Sequence, residues 1–177
     1  SARRSGSYPA RSALFATNRY SEFINLKMDR QKLIEDTILV DAINKDGKVF
    51  DKVSRISAQS KVNKLQIELD VNTDIYPMDA GAYYKLLLAS SVNADGSDNF
   101  DIVRYENEGA QAGMETLFDQ YDYVMHGKVF KYQLVDGEKR INIFISFGGL
   151  LMSITGDIKS LKSLEIDSRV YLLMNKI

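Results

Sequence analysis

A two-residue alternation of apolar and polar positions marks the second half of this chain. An isoleucine or a phenylalanine stands at every second position over 141–147, and the same period resumes over 150–154. Successive side chains of a strand point to opposite faces, so each run is typical of a β-strand. Gly148 and Gly149 lie between the runs and supply the positive φ that a tight turn needs. The pattern therefore predicts a hairpin closed by a Gly-Gly turn.

Six further runs have the length and composition of strands. In the run from Leu65 to Val71, apolar residues alternate with Gln66, Glu68 and Asp70, so we expect these acids to face solvent. Asn44–Gly47, Pro77 and Asp136-Gly137 mark turns or strand ends. The six runs are 34–43, 50–60, 65–71, 83–90, 121–134 and 170–174.

The remaining segments are irregular. Asn93–Phe118 is polar and rich in turn residues, which predicts one long loop with a short helix near Glu115. Residues 157–165 form a linker with one helical turn. Hairpin spacing of about eight strands indicates an all-β protein, either an antiparallel sandwich or a closed barrel.

Composition narrows the classes of function. The chain has 177 residues with 45% hydrophobic and 27% charged residues, which suits one globular domain. Its net charge is −1, whereas a protein that binds nucleic acid without a partner usually has an excess of basic residues. There is no cysteine, which excludes disulfides and makes the usual zinc sites improbable.

The charge is uneven along the chain. Residues 1–27 carry five basic residues against Glu22, and the remainder carries 18 basic and 23 acidic residues, a net of −5. We expect 1–27 to be a basic extension or leader and 28–177 to be the β-barrel domain. Four origins stay open for the extension: a mitochondrial transit peptide, an artificial leader before Met28, a lineage-specific extension, or a basic arm that docks on a partner.

Candidate chemistry is sparse. A triad of Asp122, His126 and Ser146 can be written down, but no nucleophile elbow places the serine. Ser91–Gly96 partly resembles a calcium loop, yet its first and twelfth ligand positions fail. There is no phosphate-binding glycine loop, and the paired carboxylates Asp119 and Asp122 say little alone. We therefore predict no catalytic residue, no cofactor and no metal site.

Aromatic residues cluster near lysines along the predicted 121–144 hairpin. Barrels of the OB type stack single-stranded bases on such a surface, which makes a free-standing single-strand binder the alternative function. The net charge of −5 over residues 28–177 instead favours a role of these aromatic residues in the core and in a protein interface. The residues concerned are Tyr121, Tyr123, Phe130, Tyr132 and Phe144, with Lys128 and Lys131.

Five short motifs, in a fixed order over residues 36–177, carry a family resemblance. The chain resembles the eighth, small barrel subunit shared by eukaryotic nuclear RNA polymerases I, II and III. Two motifs that contain glycine are the most specific. The motifs are Phe50–Ile56, Leu69–Thr73 with Tyr76-Pro77, Asp119–Gly127, Ser146–Met152 and Tyr171–Met174.

The resemblance implies a fold, a role and partners. The fold would be an antiparallel β-barrel related to the OB fold. The role would be that of a non-catalytic structural subunit that packs on the largest polymerase subunit and neighbouring subunits, in the nucleus. Single-stranded nucleic acid would be at most a weak ligand, and no membrane is implied. Residues 1–27 depart from the family pattern.

Two of these motifs provide the predicted partner-binding residues. An acid between two tyrosines favours an interface, because tyrosine brings a large area with a polar tip and an acid can pair with a partner arginine. The alternative is that both tyrosines face inward while Asp122 faces water. The predicted residues are Tyr121, Asp122, Tyr123, Met125, Gly127, Phe147, Gly148, Gly149, Leu150, Leu151 and Met152.

Overall fold

Eight strands build the molecule. A computed structural model describes residues 22, 25–47, 49–93, 117–135, 137 and 139–177. Short helices lie at 25–31 and Ile158–Leu161, and a 3-10 helix lies at Leu117–Gln120. The strands are β1 (Lys32–Ile43), β2 (Val53–Ser60), β3 (Gln66–Asn72), β4 (Tyr83–Ala89), β5 (Tyr123–Val135), β6 (Arg140–Phe147), β7 (Leu150–Asp157) and β8 (Arg169–Lys176).

The strands close into one antiparallel barrel in the order β1-β2-β3-β7-β6-β5-β8-β4, with β4 pairing back to β1. The closed barrel confirms the predicted all-β class and its strand number. Closure satisfies the backbone groups along each strand for as far as the ladders extend.

Alternate side chains from all eight strands fill the interior. Ile67 and Leu69 of β3 and Ile143 and Ile145 of β6 are buried, as their two-residue period predicts. Burial of this many apolar side chains is the main force that stabilises the barrel.

A second apolar cluster covers part of the outside. Leu87 of β4 and Leu173 of β8 point outward and are buried beneath Met28, Val92 and Leu117. Strands β4 and β8 are therefore buried on both faces. Alternation alone predicts one buried face for the last strand, so this outer cluster was missed.

The predicted Gly-Gly turn is confirmed. Phe147 pairs with Leu150, and Gly148 and Gly149 have φ values of 61° and 100°. A two-residue turn of this kind matches the twist of the flanking strands, and residues with side chains enter it poorly.

The prediction that the acids of β3 face solvent was wrong for Asp70. Glu68 is exposed, but Asp70 is buried and accepts hydrogen bonds from two neighbouring strands. A buried carboxylate is tolerated where donors replace its water.

Two predictions fall partly or wholly on residues 94–116, outside the described residues: the long loop and its short helix. The helical turn expected between β7 and β8 is present at Ile158–Leu161. Within the part of the chain that the structure describes, no helix is long and apolar enough to cross a membrane.

Candidate interaction site at one end of the barrel

The two glycine-containing motifs meet at one end of the barrel, where β3 ends and β5 begins. The hydroxyl of Tyr123 accepts a hydrogen bond from the Asn72 backbone N–H at 3.3 Å and lies 3.2 Å from the Met125 sulfur. Its ring stacks on Tyr76 with 5.0 Å between centroids and 12° between planes. This end of the barrel is therefore closed by stacked tyrosines.

Gly127 brings β5 against β6 more closely than any side chain allows. A Cβ at this position would lie 2.4 Å from the Ser146 carbonyl oxygen and 2.5 Å from the Phe147 ring. Strand β5 pairs with β8 from Tyr123 to Lys128 and with β6 from Lys128 onward. Glycine is therefore required here by contact with the neighbouring strand.

Asp70 joins the Gly-Gly hairpin to the adjacent strands. Its carboxylate accepts bonds from the Arg55 guanidinium at 2.8 and 3.1 Å and from the Leu151 backbone N–H at 3.0 Å. The β3–β7 ladder ends at Leu69 and Met152, one residue before this contact. The Asp70 side chain thus supplies an acceptor for the Leu151 N–H at the point where the backbone ladder has ended.

Burial raises the pKa of the Tyr76 phenol at this end of the barrel, and Arg55 and Tyr123 also have shifted pKa values. The hydrogen bond to Asp70 raises the pKa of Arg55, so the guanidinium stays charged. Burial raises the pKa of the Tyr123 phenol, outweighing the opposite effect of the Asn72 N–H. The phenol therefore stays protonated at neutral pH and keeps its role as a donor.

The predicted partner-binding residues divide by exposure. Asp122 is exposed and Leu151 is 40% exposed, as members of a docking surface must be. Tyr121, Met125 and Leu150 are partly buried, and Gly148 and Gly149 are exposed. Tyr123, Gly127, Phe147 and Met152 are buried within the chain itself.

Two of the three residues Tyr121, Asp122 and Tyr123 follow the alternative prediction, in which the tyrosines face inward and the acid faces water. Tyr123 faces inward with 7% exposure, and Asp122 faces water. Tyr121 packs instead against the outer cluster, with the Lys85 ammonium 5.6 Å from its ring centroid. Partner binding by these residues stays a prediction.

Sequence reasoning missed several residues that shape this end of the barrel. Phe50 is 59% exposed and lines a small pocket together with Arg55. Both lie in the first motif of the resemblance, so the signal was available, but the pairing of Arg55 with Asp70 requires the β2–β3 register.

The serine and histidine of the candidate triad have structural contacts of their own. The His126 ring lies 4.6 Å from the Tyr171 ring on the barrel exterior. The Ser146 hydroxyl accepts the Gly149 N–H at 3.4 Å inside the turn. Among the described residues, no group of three or more His, Asp or Glu side chains is placed to hold a metal. Part of the calcium-like segment, residues 94–96, lies outside those residues.

The aromatic and basic surface expected of a single-strand binder is divided by the fold. Phe130 and Phe144 face outward 6.2 Å apart, with Lys131 above Phe144, whereas Tyr123 and Tyr132 belong to the interior. The neighbouring outer face across β2, β3 and β7 forms a groove of about 370 Å³. Its lining is mostly amide, hydroxyl and charged, with no aromatic residue: Asp41, Lys45, Ser57, Ala58, Gln59, Gln66, Ile67, Glu68, Asn142, Ser153 and Thr155.

This chain is similar in sequence to known proteins over most of its length. Residues 35–176 match the family described as RNA polymerase Rpb8. A subunit of DNA-directed RNA polymerases I, II and III from Dictyostelium discoideum is 42% identical over 81% of this chain and 96% of its own length.

Two further relatives extend the comparison. Subunit 8B of DNA-directed RNA polymerases II, IV and V from Arabidopsis thaliana is 40% identical over 82% of this chain and 96% of its own. The subunit RPABC3 from Schizosaccharomyces pombe is 31% identical over 84% and 100%. The family resemblance is confirmed, and this chain belongs to the RNA polymerase Rpb8 family.

Proposed function

We propose that this chain is a non-catalytic structural subunit of the nuclear DNA-directed RNA polymerases. The observation that carries this proposal is membership of the Rpb8 family, with relatives named as polymerase subunits matched over nearly their whole length. The nucleus is the proposed site of action, as the resemblance to a subunit of nuclear polymerases implies.

We also propose that the barrel docks on the largest polymerase subunit through the end that carries Asp122 and the Gly-Gly hairpin. Leu151 offers an exposed apolar side chain, and Asp122 offers an exposed carboxylate on the same end of the barrel. The buried members of the predicted set hold these two in place. A rigid apolar contact beside a charged residue is typical of the centre and rim of a protein interface.

Rigidity supports the docking proposal. The hairpin is fixed from three directions, by the turn glycines, by Gly127 against Ser146, and by the Asp70 carboxylate on Leu151. A surface that is ordered before binding loses less conformational entropy on association.

The proposal is tested by tagging the endogenous chain, purifying it at physiological salt and sedimenting the product. We expect it to migrate in a complex of several hundred kilodaltons and to co-purify with the largest polymerase subunit. A peak at the size of the monomer, without polymerase subunits, would contradict the assignment.

A free-standing OB-type single-strand binder was the alternative function. The polar groove across β2, β3 and β7 offers few stacking surfaces for bases, and the net charge is −1. We expect weak binding of single-stranded oligonucleotides with a shallow dependence on salt. Sub-micromolar binding by the chain at physiological salt would favour the alternative.

A further inference from the structure

Strand β5 changes partner partway along its length. Residues Tyr123–Lys128 pair with β8, and Lys128–Val135 pair with β6. Val129 is the last residue bonded toward β8, since its N–H donates to Ser168 and its carbonyl accepts from Asp167. Beyond Val129, β5 has a neighbour on one side only among the described residues.

The direction of each backbone group beyond Val129 follows from the hairpin register. The two-residue turn makes Phe147 and Leu150 a hydrogen-bonded pair, so Ser146 and Phe144 direct their N–H and C=O toward β5. Phe144 faces Lys131, because a bulge at Phe130 shifts the register by one residue.

Pairing then alternates to the end of the strand. Lys131, Gln133 and Val135 bond to β6, whereas Tyr132 and Leu134 direct their N–H and C=O away from it. Within the part of the chain that the structure describes, neither residue has a backbone partner on that side. With respect to the described residues, four backbone groups are therefore available to an added strand.

The side chains along this edge define the chemistry of an occupant. Leu134 is 54% exposed and lies beside the partly buried Ile141 on the inner face of the sheet. Lys131, Gln133 and Val135 lie on the outer face, and these three β5 side chains contribute one cation and no acid. No proline interrupts residues 130–135, although natural edges are often protected by one.

We propose that the edge of β5 at Tyr132 and Leu134 binds an extended segment of a neighbouring polymerase subunit as an added antiparallel or parallel strand. The segment alternates an apolar residue over Leu134 with an acidic residue near Lys131. This proposal rests on the proposed function and adds a contact outside the Gly-Gly end of the barrel. Strand addition of this kind takes affinity from main-chain bonds and specificity from alternate side chains.

Amide hydrogen exchange at single-residue resolution tests it, on the full chain alone and in the purified polymerase. We expect the amides of Tyr132 and Leu134 to exchange rapidly in the free chain and at least tenfold more slowly in the complex. The amides of Lys131 and Gln133 bond to β6 and serve as internal controls, slow in both states. Strand addition alone gives this change at every second residue.

Three results would overturn the proposal. One is rapid exchange at Tyr132 and Leu134 in the assembled polymerase. Another is slow exchange already in the free chain, which would mean that its own residues cover the edge. The third is protection of the free chain that rises with its concentration, which would identify a second copy as the occupant. If the chain fails to enter the polymerase at all, the proposed function fails instead.

The acidic character of the segment has a separate test. In polymerase assembled with Lys131→Glu, we expect the protection of Leu134 to fall, whereas Lys131→Arg retains it. Equal protection in both variants would overturn the acidic character of the occupant.

Discussion

At the scale of single residues, one glycine and one buried carboxylate hold backbone segments that apolar packing alone does not position. Gly127 permits contact between β5 and β6, and Asp36 organises the turn between β2 and β3. Each contacts the backbone of a segment distant in sequence, so we expect a single substitution at either residue to lower the stability of the fold.

Gly127→Ala is expected to destabilise the barrel by about 1–3 kcal/mol, the usual cost of overpacking. The added Cβ meets the carbonyl oxygen of Ser146, which moves only if the β5–β6 ladder moves. Urea denaturation of both proteins measures the difference. Gly156→Ala is the matched control, since its Cβ meets the flexible end of the Leu65 side chain, and we expect a smaller loss. Equal losses would contradict the argument from backbone contact.

Asp36 predicts a pH dependence of stability. Burial by itself raises its pKa, but the N–H groups of Asn63, Val62 and Thr37 outweigh that effect and hold the pKa below the ordinary value of 3.8. A depressed native pKa stabilises the fold above the unfolded pKa, and this stabilisation is lost as the pH falls through the native pKa.

The expected result is a free energy of unfolding that falls below about pH 4, less steeply in Asp36→Asn than in the wild type. At neutral pH the substitution is expected to cost about 1–3 kcal/mol, because its amide places a donor against the Asn63 N–H groups. Urea denaturation between pH 2.5 and 7 measures both effects. An unchanged acid slope in the variant would rule out this role of Asp36.

At the scale of elements, the Gly-Gly hairpin is held by β3 beyond the end of the β3–β7 ladder. The β3–β7 pairing stops at Leu69 and Met152, and the Asp70 side chain then bonds to Leu151. The end of one ladder is thus stabilised by a side chain of the neighbouring strand.

Asp70→Ala is expected to cost about 1–3 kcal/mol and to accelerate exchange of the Leu151 amide, because both its partners lose their acceptor. Arg55→Ala is the control: it removes the ion pair but leaves Asp70 bonded to Leu151. Hydrogen exchange distinguishes the two, and a Leu151 amide that stays slow in Asp70→Ala would show that the carboxylate does not hold the hairpin.

At the scale of the whole molecule, the exterior of the barrel divides into surfaces with different neighbours. The outer face of β4 and β8 is covered by Met28, Val92 and Leu117 of the same chain. The face across β2, β3 and β7 is polar and has no cover among the described residues, and the Gly-Gly end presents Asp122 and Leu151.

Docking through the Gly-Gly end predicts the behaviour of two exposed variants. Asp122→Arg and Leu151→Arg are each expected to reduce co-purification of the largest subunit about tenfold, equivalent to roughly 1.4 kcal/mol, without changing the melting temperature. Val62→Arg is the control, since Val62 is 75% exposed in the turn at the opposite end of the barrel. Full co-purification of both test variants would contradict docking at this end.

Tyr123→Ala is unsuitable for that experiment. Its ring is part of the core and stacks on Tyr76, so its loss is expected to cost about 3–5 kcal/mol of folding stability. Reduced co-purification of this variant would report unfolding and leave docking undecided.

The strands, the Gly-Gly turn and the family can all be read from the amino-acid sequence alone. Alternation places Ile143 and Ile145 inside because a strand has a period of two, and the turn needs glycines because its φ values are positive. These properties are local, so they appear in consecutive residues. The two motifs of the candidate site were likewise visible as short runs.

The exposure of those residues and the contacts that hold them, in contrast, depend on how the strands assemble. Asp70 alternates like a solvent-facing acid, yet it is buried because the β2–β3 register brings Arg55 beside it and the hairpin brings Leu151. The outward faces of β4 and β8 became buried because Met28 and Leu117, distant in sequence, pack on them. The edge at Tyr132 and Leu134, which no described strand pairs with, depends on where β8 leaves β5. Pairing between distant segments sets all three, and the period of a single strand carries no information about its neighbours.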